Sequence, residues 1–519
     1  MRILQFAPGR YRGLPASPLY FTLDPDASPD NQCSIRFLVG QNGAGKSNVL
    51  RFLASIFQAL DEGYRRPHAD SPAYNIPFGL AYQLRGDTII VRSDGKGRSG
   101  VEFTINGEAR AKGDIPDKDR VLPRMLLVYT SGNVEDWRTL FADNPADDED
   151  GGRDEINLTK LRRDEELPPG SSRTVITEDR ATGIQVPMQV PLFAEGDTAA
   201  LSVRRSILVE PQHMRLALLA ALLDYQARQA AQQPLNIAFA DVLEQVNIKL
   251  VGFSLRIDPA TLPVSPTQRR QIGELYDIAT LPLQEWETQL WVYDLDDNDV
   301  EDGKSVLMRL HEGSVNDPFP FFQLLTDLQR TGTLRDVNVI LQYTPADGHD
   351  IAPRTLLAES LSDGEFAFVA RLALIYLLNE PDCLFLLDEP ETHFNDDWKR
   401  NLVDNIERAL SDTNSEVILT SHASITLTDA YPDEVILLTS RGQDAVPLTL
   451  AAEPGEVLLR LFGADKSVGK RAQRRIEAAL EEGKEQTLRN LLDEVGVGYY
   501  RFRIVEKLEE LAKRVPPAA

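Results

Sequence analysis

A glycine-rich motif near the N-terminus constrains the fold of this chain more than any other feature. Residues 40–47 read GQNGAGKS and fit the phosphate-loop pattern G-x-x-x-x-G-K-[ST] at every fixed position. An apolar run over residues 35–39 precedes the motif, and a helical pattern over residues 48–60 follows it. A phosphate loop requires this order of strand, loop and helix. The motif therefore predicts an α/β fold in which residues 40–47 bind phosphate.

Each part of the motif has a physical role in that prediction. Glycines let successive backbone N–H groups turn inward around the phosphates, and the helix N-terminus adds the positive end of its dipole. Lys46 would supply a cation to the β- and γ-phosphates, and Ser47 would offer its hydroxyl to Mg²⁺. We expect ATP and Mg²⁺ as cofactors, with the nucleotide bound by Gly40, Asn42, Gly43, Ala44, Gly45, Lys46, Ser47 and Asn48.

A second apolar run, which ends in two acidic residues, predicts the other half of the site. Residues 383–387 read CLFLL and lead into Asp388 and Glu389. Asp388 would hold Mg²⁺ together with Ser47, and Glu389 would polarise the attacking water as a general base. The two motifs together are typical of a P-loop NTPase.

Two further motifs resemble those of ABC ATPases. Residues 361–365 read LSDGE and precede an apolar helical stretch, and Ser362 lies 26 residues before Asp388. This motif in this position resembles the LSGG-type signature. This resemblance implies that the signature residues, above all Ser362 and Gly364, contact the γ-phosphate held by the other subunit of a dimer. It also implies that His422, at the end of an apolar run, is the switch histidine and acts with Glu389 and Lys46 in catalysis. The complete predicted signature is Ser362, Asp363, Gly364 and Glu365.

The segment after the acid pair resembles the soluble SMC/RecF/OLD branch of these ATPases. It reads DEPETHFN, with E-x-H where transporter ATPases have T-S-x-L-D, and Asn395 stands in the place of the D-loop aspartate. A closer likeness is to the AAA-family ATPases encoded beside bacterial restriction and anti-phage systems, including the PtuA-like ATPases of Septu and retron-associated systems. This likeness rests on GRYRGLP, LSDGE, DEPETHFNDDWKR and FGADKSVG…VGVGYYRFR. No glutamine stands in an obvious Q-loop position, which leaves Ser131 or Asn133 as alternatives.

Composition shifts divide the chain into four predicted segments. Residues 1–140 form an N-terminal ABC ATPase lobe, 141–350 an insertion of mixed α/β character, 351–450 a C-terminal ABC ATPase lobe, and 451–519 a helical C-terminal region. Alternating patterns over residues 80–84, 88–92, 101–105 and 125–129 predict one small antiparallel sheet. The acidic stretch 143–155 predicts a solvated loop. The acidic residues Asp294, Asp296, Asp297 and Asp299 are expected in the turn of a hairpin between residues 290–293 and 305–310.

Charge and composition limit the partners of the chain. Its 55 Lys and Arg residues and 80 Asp and Glu residues give a formal net charge of −25, which repels nucleic acid at long range. A basic cluster near the C-terminus is read as a solvated helix face, with contact to DNA or a partner as the alternative; it comprises Lys466, Lys470, Arg471, Arg474 and Arg475. No apolar run reaches the length of a membrane span, so we expect a cytoplasmic protein without a membrane partner. Two cysteines cannot form a four-thiolate zinc site.

These features and the resemblance predict an ATPase that works as a molecular switch in anti-phage defence. The chain would form a head-to-tail homodimer, or a higher assembly, around MgATP and control a partner nuclease or toxin. Direct contact with DNA stays open. The alternatives are a RecF/SMC-like DNA-repair ATPase and the peripheral ATPase of a transporter. We do not expect intrinsic nuclease activity, because the 97 residues after His422 contain no glutamate plus DxD arrangement.

Overall fold

The computed structural model of the chain describes thirteen stretches of the sequence. They are residues 1–21, 33–65, 71–110, 116–141, 172–178, 185–191, 205–261, 266–297, 303–313, 317–344, 352–378, 380–464 and 467–514. Two compact units are present, Met1–Ala452 and Glu453–Ala519. The four segments defined from the sequence stay a prediction.

The strands and helices of the described residues are numbered in chain order. The strands are β1 Arg2–Ala7, β2 Leu19–Tyr20, β3 Ser34–Val39, β4 Pro77–Leu84, β5 Asp87–Asp94, β6 Val101–Ile105, β7 Glu108–Ala109, β8 Leu126–Thr130, β9 Ser172–Glu178, β10 Gln185–Pro191, β11 Ser206–Val209, β12 Ile248–Ile257, β13 Leu281–Glu285, β14 Thr288–Asp294, β15 Leu334–Tyr343, β16 Arg354–Leu357, β17 Leu384–Asp388, β18 Glu416–Thr420, β19 Val435–Thr439 and β20 Gly442–Asp444. The helices are α1 Lys46–Arg65, α2 Lys118–Val121, α3 Glu135–Phe141, α4 Met214–Ala230, α5 Ile237–Val246, α6 Pro266–Ile278, α7 Val306–Glu312, α8 Pro318–Arg330, α9 Asp363–Leu377, α10 Asp396–Ala409, α11 Pro454–Leu461, α12 Lys470–Glu482, α13 Glu485–Glu494 and α14 Tyr499–Arg514.

A seven-stranded sheet carries the phosphate loop. Its strand order is β11-β8-β17-β18-β3-β19-β20, and every neighbouring pair is parallel except β19 and β20. All residues of β8, β17 and β18 are buried, as expected for parallel strands that are covered on both faces. Because the strands are parallel, the ends of β3, β8, β17 and β18 meet at one edge.

The prediction placed residues 125–129 in the wrong sheet. This strand, β8, lies between β11 and β17 in the parallel sheet. Its run LLVYT is apolar on both faces, which is typical of a parallel strand, whereas a half-exposed antiparallel strand alternates. The other three predicted strands are confirmed, since β4, β5 and β6 pair antiparallel within the six-stranded sheet β2-β1-β4-β5-β6-β7.

Helix α1 connects these two sheets through an apolar core. Phe52 packs against Phe6 of β1 and Phe78 of β4, with ring centroids 5.6 and 5.9 Å away. The same core includes Leu38 of β3 and Leu386 of β17. The predicted helix over residues 48–60 is confirmed and extends over Lys46–Arg65. This packing holds the start of α1, and with it the phosphate loop, at the edge of the parallel sheet.

A second antiparallel sheet is formed mainly by the predicted insertion, and its edge strand β16 belongs to the predicted C-terminal lobe. Its strand order is β13-β14-β12-β15-β16, and β9 and β10 form a separate hairpin. The predicted hairpin between residues 290–293 and 305–310 was wrong, because β14 pairs with β13 and β12 instead. Residues 306–312 form α7, whose first turn is capped by Ser305, which accepts a hydrogen bond from the Met308 amide at 3.3 Å. Asp299 and the acidic stretch 143–155 lie outside the described residues.

The second unit consists of helices α11–α14. Ile476, Leu488 and Ile504 lie in its small core. Four residues of the basic cluster, Lys470, Arg471, Arg474 and Arg475, are exposed on α12, and Arg475 pairs with Glu494 at 2.8 Å; Lys466 lies outside the described residues. Over the described part of the whole chain, no helix combines the length and hydrophobicity of a membrane span.

Candidate functional site

The phosphate loop joins β3 to α1 in a conformation that requires glycine. Gly40, Gly43 and Gly45 have φ angles of 151°, 82° and 96°, which residues with a Cβ atom rarely adopt. A Cβ atom on Gly40 would lie 2.2 Å from the carbonyl oxygen of Leu438 on β19. Asn42 and Gly43 are exposed, whereas Ala44 and Gly45 are half-buried. The loop therefore presents its backbone to solvent at the point where the sequence predicts phosphate binding.

Lys46 lies beneath this loop. The side chain is only 7% exposed, and Nζ donates hydrogen bonds to the carbonyl oxygens of Gly40 and Gln41 at 3.0 and 3.4 Å. Burial lowers the pKa of Lys46, while the nearby charges of Glu389 and Asp388 act to raise it. The structure thus brings the predicted cation together with the predicted acid pair.

Asp388 is the centre of a group of hydroxyl donors. Ser47 donates a hydrogen bond to its Oδ1 at 2.9 Å, and Thr420 donates one to the same oxygen at 2.7 Å. Thr130 donates to Oδ2 at 3.4 Å. Thr130 and Thr420 stand directly opposite Asp388 in the register of β8 and β18. Sequence reasoning missed both threonines, and the only signal for them was that each ends an apolar run.

The Ser47 and Asp388 side chains fit a magnesium ion. A hydroxyl and a carboxylate oxygen are hard donors, and Mg²⁺ is usually held by one or two protein groups together with phosphate oxygens and water. Among the described residues, no group of three or more His, Cys, Asp or Glu side chains could hold a metal. The Ser47 hydroxyl and the Asp388 carboxylate would hold a Mg²⁺ ion whose remaining ligands are phosphate oxygens and water.

Glu389 has a strained backbone that its neighbours stabilise. Its φ angle of 52° lies in the left-handed region, which costs a non-glycine residue about 1–3 kcal/mol. The Glu389 amide donates to Thr420 Oγ1 at 3.0 Å, and the Glu389 carbonyl accepts from Thr392 Oγ1 at 2.9 Å. The carboxylate is 42% exposed and lies 3.2 Å from His422 Nε2. This position is open to a water molecule, as a general base requires.

His422 is held through its backbone by a buried carboxylate. Glu391 is 5% exposed, and its Oε1 accepts hydrogen bonds from Ser421 Oγ at 2.6 Å and from the His422 amide at 3.1 Å. Burial lowers the pKa of His422, and Lys46 adds to this effect, while the acidic neighbours oppose it. In the sequence, Glu391 stands out only as the first residue of the E-x-H segment. The structure shows that it orients the strand end that carries His422.

The signature residues lie at the start of α9 and face solvent. Ser362 caps the helix, because its Oγ accepts from the Glu365 amide at 3.3 Å and its own amide donates to Glu365 Oε2 at 3.0 Å. Ser362 and Asp363 are exposed, and Gly364 is half-buried. Within the described residues, side-chain hydrogen bonds of Ser362 reach only Glu365. The structure therefore does not join the signature to Lys46 and Asp388 within one chain.

Three other positions named from the sequence, Ser131, Asn133 and Asn395, lie in different places. Ser131 donates from its amide to the Asp388 carbonyl at 3.2 Å, whereas Asn133 accepts from the Glu135 amide at 3.1 Å at the start of α3. Of the two Q-loop alternatives, Ser131 thus touches the strand of the acid pair. Asn395 caps α10 by accepting from the Trp398 amide at 2.8 Å.

Asn48 contributes to the site indirectly. Its Nδ2 donates to the Arg12 carbonyl at 3.1 Å, and its Oδ1 accepts from Arg51 Nη1 at 3.1 Å. These contacts attach the GRYRGLP segment to the first turn of α1. A Cβ atom on Gly45 would lie only 2.6 Å from Cδ2 of Leu14, which belongs to that segment.

Solved structures that are similar to this chain include two Smc heads. No protein-family model matches the sequence, and no curated protein matches it. An Smc head bound to the C-winged helix domain of ScpA is similar with a TM-score of 0.35 and 12% identity, over 87% of this chain and 99% of that chain. An Smc head domain with an extended coiled coil, bound to the C-terminal domain of ScpA and derived from Pyrococcus furiosus, has a TM-score of 0.32 and 12% identity over 86% and 97% of the two chains. The predicted α/β P-loop NTPase fold is confirmed by the parallel sheet and by the loop between β3 and α1.

Proposed function

We propose that the chain is an SMC-like ATPase that closes as a dimer around MgATP and thereby controls a partner protein. One observation carries this proposal. The phosphate loop, the acid pair and the histidine, which are far apart in the sequence, meet at one edge of the parallel sheet through Lys46, Ser47, Asp388, Glu389 and His422.

We propose a role for each of these residues. The loop amides and Lys46 would bind the β- and γ-phosphates, and Ser47 and Asp388 would hold Mg²⁺, which would neutralise charge on the phosphate oxygens. Glu389 accepts a proton from the attacking water. His422 lies 3.2 Å from the Glu389 carboxylate; it would orient that carboxylate and contact the γ-phosphate. Its lowered pKa keeps the imidazole neutral near pH 7, so that it donates a hydrogen bond without carrying a charge.

The exposed signature supports a site that two chains share. Ser362 and Asp363 face solvent at the N-terminus of α9, where backbone amides and the helix dipole favour an anion. In the proposed dimer, Ser362 and Gly364 of one chain contact the γ-phosphate that is bound by the phosphate loop of the other. Each chain would then contribute to both sites, and hydrolysis would require dimerisation.

The insertion supports an output beyond hydrolysis. Helix α4 packs along the signature helix α9. Arg215 at the start of α4 pairs with Glu359, three residues before Ser362, and with Asp336 of β15 at 3.3 Å. Movement of the signature on dimer closure would therefore be transmitted to the insertion sheet. We propose that this sheet controls a nuclease or toxin in anti-phage defence, with a DNA-repair ATPase as the alternative.

The first test is substitution of the phosphate-loop lysine. Lys46→Ala should abolish ATP binding in calorimetry and abolish protection in a phage-plating assay with the native gene neighbourhood. Lys304→Ala is the matched control, because Lys304 is exposed in the insertion and pairs with Glu312 at 2.6 Å. If protection survives in the Lys46 variant, the proposed switch is refuted.

The second test identifies the partner. Glu389→Gln removes the general base and should hold the dimer closed on ATP, so that its clients remain bound during purification. Tagged protein is expressed in the native host, and co-eluting molecules and the native mass are determined. A nuclease or toxin supports the proposed function, DNA without a protein partner supports the repair ATPase, and a membrane protein contradicts both.

A further inference from the structure

A buried arginine lies between the signature helix and the loop after the acid pair. Arg371, on α9, is 7% exposed. Its Nε and Nη2 donate to the hydroxyl of Tyr129 at 3.0 and 2.7 Å, and its Nη1 donates to the Thr392 carbonyl at 2.8 Å. The guanidinium also lies 5.2 Å from the ring centre of Tyr129 and 4.8 Å from that of Phe394. Among the described residues, Arg371 has no carboxylate partner.

A guanidinium in this position is costly for stability alone. A charge that is removed from water loses solvation, and replacing buried charges by well-packed apolar residues is often neutral or stabilising. Hydrogen bonds and ring contacts compensate for part of this loss. What distinguishes arginine from an apolar residue of similar size is its planar set of donors, which fixes the relative positions of several acceptors at once.

The acceptors of Arg371 belong to the elements that build the candidate site. Tyr129 precedes Thr130, which contacts Asp388. Thr392, whose carbonyl Arg371 binds, uses its own hydroxyl to hold the Glu389 carbonyl at 2.9 Å. Arg371 is thus linked to Asp388 through Tyr129 and Thr130, and to Glu389 through Thr392.

The same helix meets this loop a second time near its N-terminus. A Cβ atom on Gly364 would lie 3.2 Å from the carbonyl oxygen of His393. Residue 393 follows Thr392, so α9 contacts the loop at the signature and again two turns later at Arg371. A displacement of α9 relative to the loop would break both contacts.

We infer that Arg371 is a positioning residue that couples the signature helix to the acid pair. Glu389 is then correctly placed only when Ser362 docks on the nucleotide of a partner chain. An undocked chain therefore does not hydrolyse ATP. This inference rests on the proposed function. Arg371 itself does not contact the nucleotide, and it acts through its acceptors Tyr129 and Thr392.

The test removes one hydroxyl to which Arg371 donates. Tyr129→Phe leaves the ring contact and deletes the acceptor of two Arg371 donors. The matched control is Tyr376→Phe, on the same helix, because the Tyr376 hydroxyl donates to the buried Asp224 of α4 at 2.5 Å. Both substitutions delete a buried hydroxyl that is bonded to a charged group. Only Tyr129→Phe removes a partner of Arg371.

Three quantities separate positioning from general stability. They are the melting temperature, the ATP affinity of the monomer at low protein concentration, and kcat at saturating ATP and high protein concentration. We expect Tyr129→Phe to lower kcat about tenfold, as for the loss of a hydrogen bond to a charged group, with ATP affinity unchanged. Tyr376→Phe should leave kcat and ATP affinity at wild-type values. Arg371→Lys keeps the charge but not the planar donors, and should reproduce the loss of kcat.

The outcomes distinguish this inference from the function on which it rests. A wild-type kcat in both Tyr129→Phe and Arg371→Lys, with wild-type protein active, refutes the inference alone. Equal losses of melting temperature, ATP affinity and kcat in Tyr129→Phe and Tyr376→Phe show a structural role and also refute it. A wild-type chain that neither binds nor hydrolyses ATP refutes the proposed function and this inference with it.

Discussion

Thr420 is expected to be as important to the site as the residues of the sequence motifs. Its side chain is fully buried. Its hydroxyl donates to Asp388 at 2.7 Å and accepts from the strained amide of Glu389 at 3.0 Å. Thr420→Val keeps the shape of the side chain and removes both hydrogen bonds. The control is Thr449→Val, which is equally buried and removes one hydrogen bond, to the Ala430 carbonyl at 2.8 Å.

The magnitudes follow from the two lost contacts. A hydrogen bond to a charged group contributes about 1.5–3 kcal/mol, and a buried amide left without an acceptor costs about 1–3 kcal/mol. We therefore expect Thr420→Val to lower the free energy of unfolding by about 3 kcal/mol, and Thr449→Val by about 1 kcal/mol. Because the Glu389 backbone loses a partner, Thr420→Val should also lower kcat about tenfold or more.

Urea unfolding measures this difference in one unit of the chain. All four tryptophans, at positions 137, 286, 291 and 398, lie within the first unit, so that tryptophan fluorescence follows its unfolding. The free energies are compared by linear extrapolation, and kcat is measured in parallel. If Thr420→Val is no less stable than Thr449→Val and hydrolyses ATP at the wild-type rate, Thr420 does not support the acid pair and the reasoning is refuted.

Three further predictions concern other parts of the structure. Glu391→Ala removes the acceptor of the His422 amide and should lower the free energy of unfolding by about 2 kcal/mol and reduce kcat, measured by urea unfolding and steady-state kinetics. Gly40→Ala should weaken ATP binding more than tenfold in calorimetry, because a Cβ atom would lie 2.2 Å from the Leu438 carbonyl oxygen. Burial raises the pKa of Glu416 to about 7, so its contribution to stability is complete below its unfolded pKa of about 4.5 and is lost as the pH rises through 7. Glu416→Gln should therefore exceed wild type in unfolding free energy at pH 8 by roughly 3 kcal/mol, and by much less at pH 5.

Each of these predictions has a control or a contrary result. Glu391→Gln keeps an oxygen acceptor and should stay close to wild type in stability. Gly43 has a left-handed φ of 82° and no atom within 4 Å of an added Cβ, so Gly43→Ala should weaken ATP binding less than Gly40→Ala does. For Glu416→Gln, the same stability difference from wild type at pH 5 and pH 8 would contradict the assignment of the raised pKa.

The parts of the fold that follow from local patterns were predictable. The phosphate loop, the helix after it and the apolar strand before Asp388 each rest on residues close together in the sequence, where glycine conformation and apolar spacing decide the structure. Residues 305–310 show the limit of such patterns. Their short apolar run is compatible with a strand or a helix, and the Ser305 cap, which favours a helix, decides between them.

The sequence by itself determined which reactive groups the chain carries: a glycine-rich loop, a lysine, an acid pair and a histidine, in an order that resembles that of ABC ATPases. The tertiary structure alone decided which side chains support them. Thr130 and Thr420 meet Asp388 because parallel strands align their ends in register, and Arg371 of α9 donates to the hydroxyl of Tyr129 on β8, 242 positions away in the sequence. Such contacts depend on strand register and helix packing, which are set by burial of the whole core and leave no local pattern in the sequence.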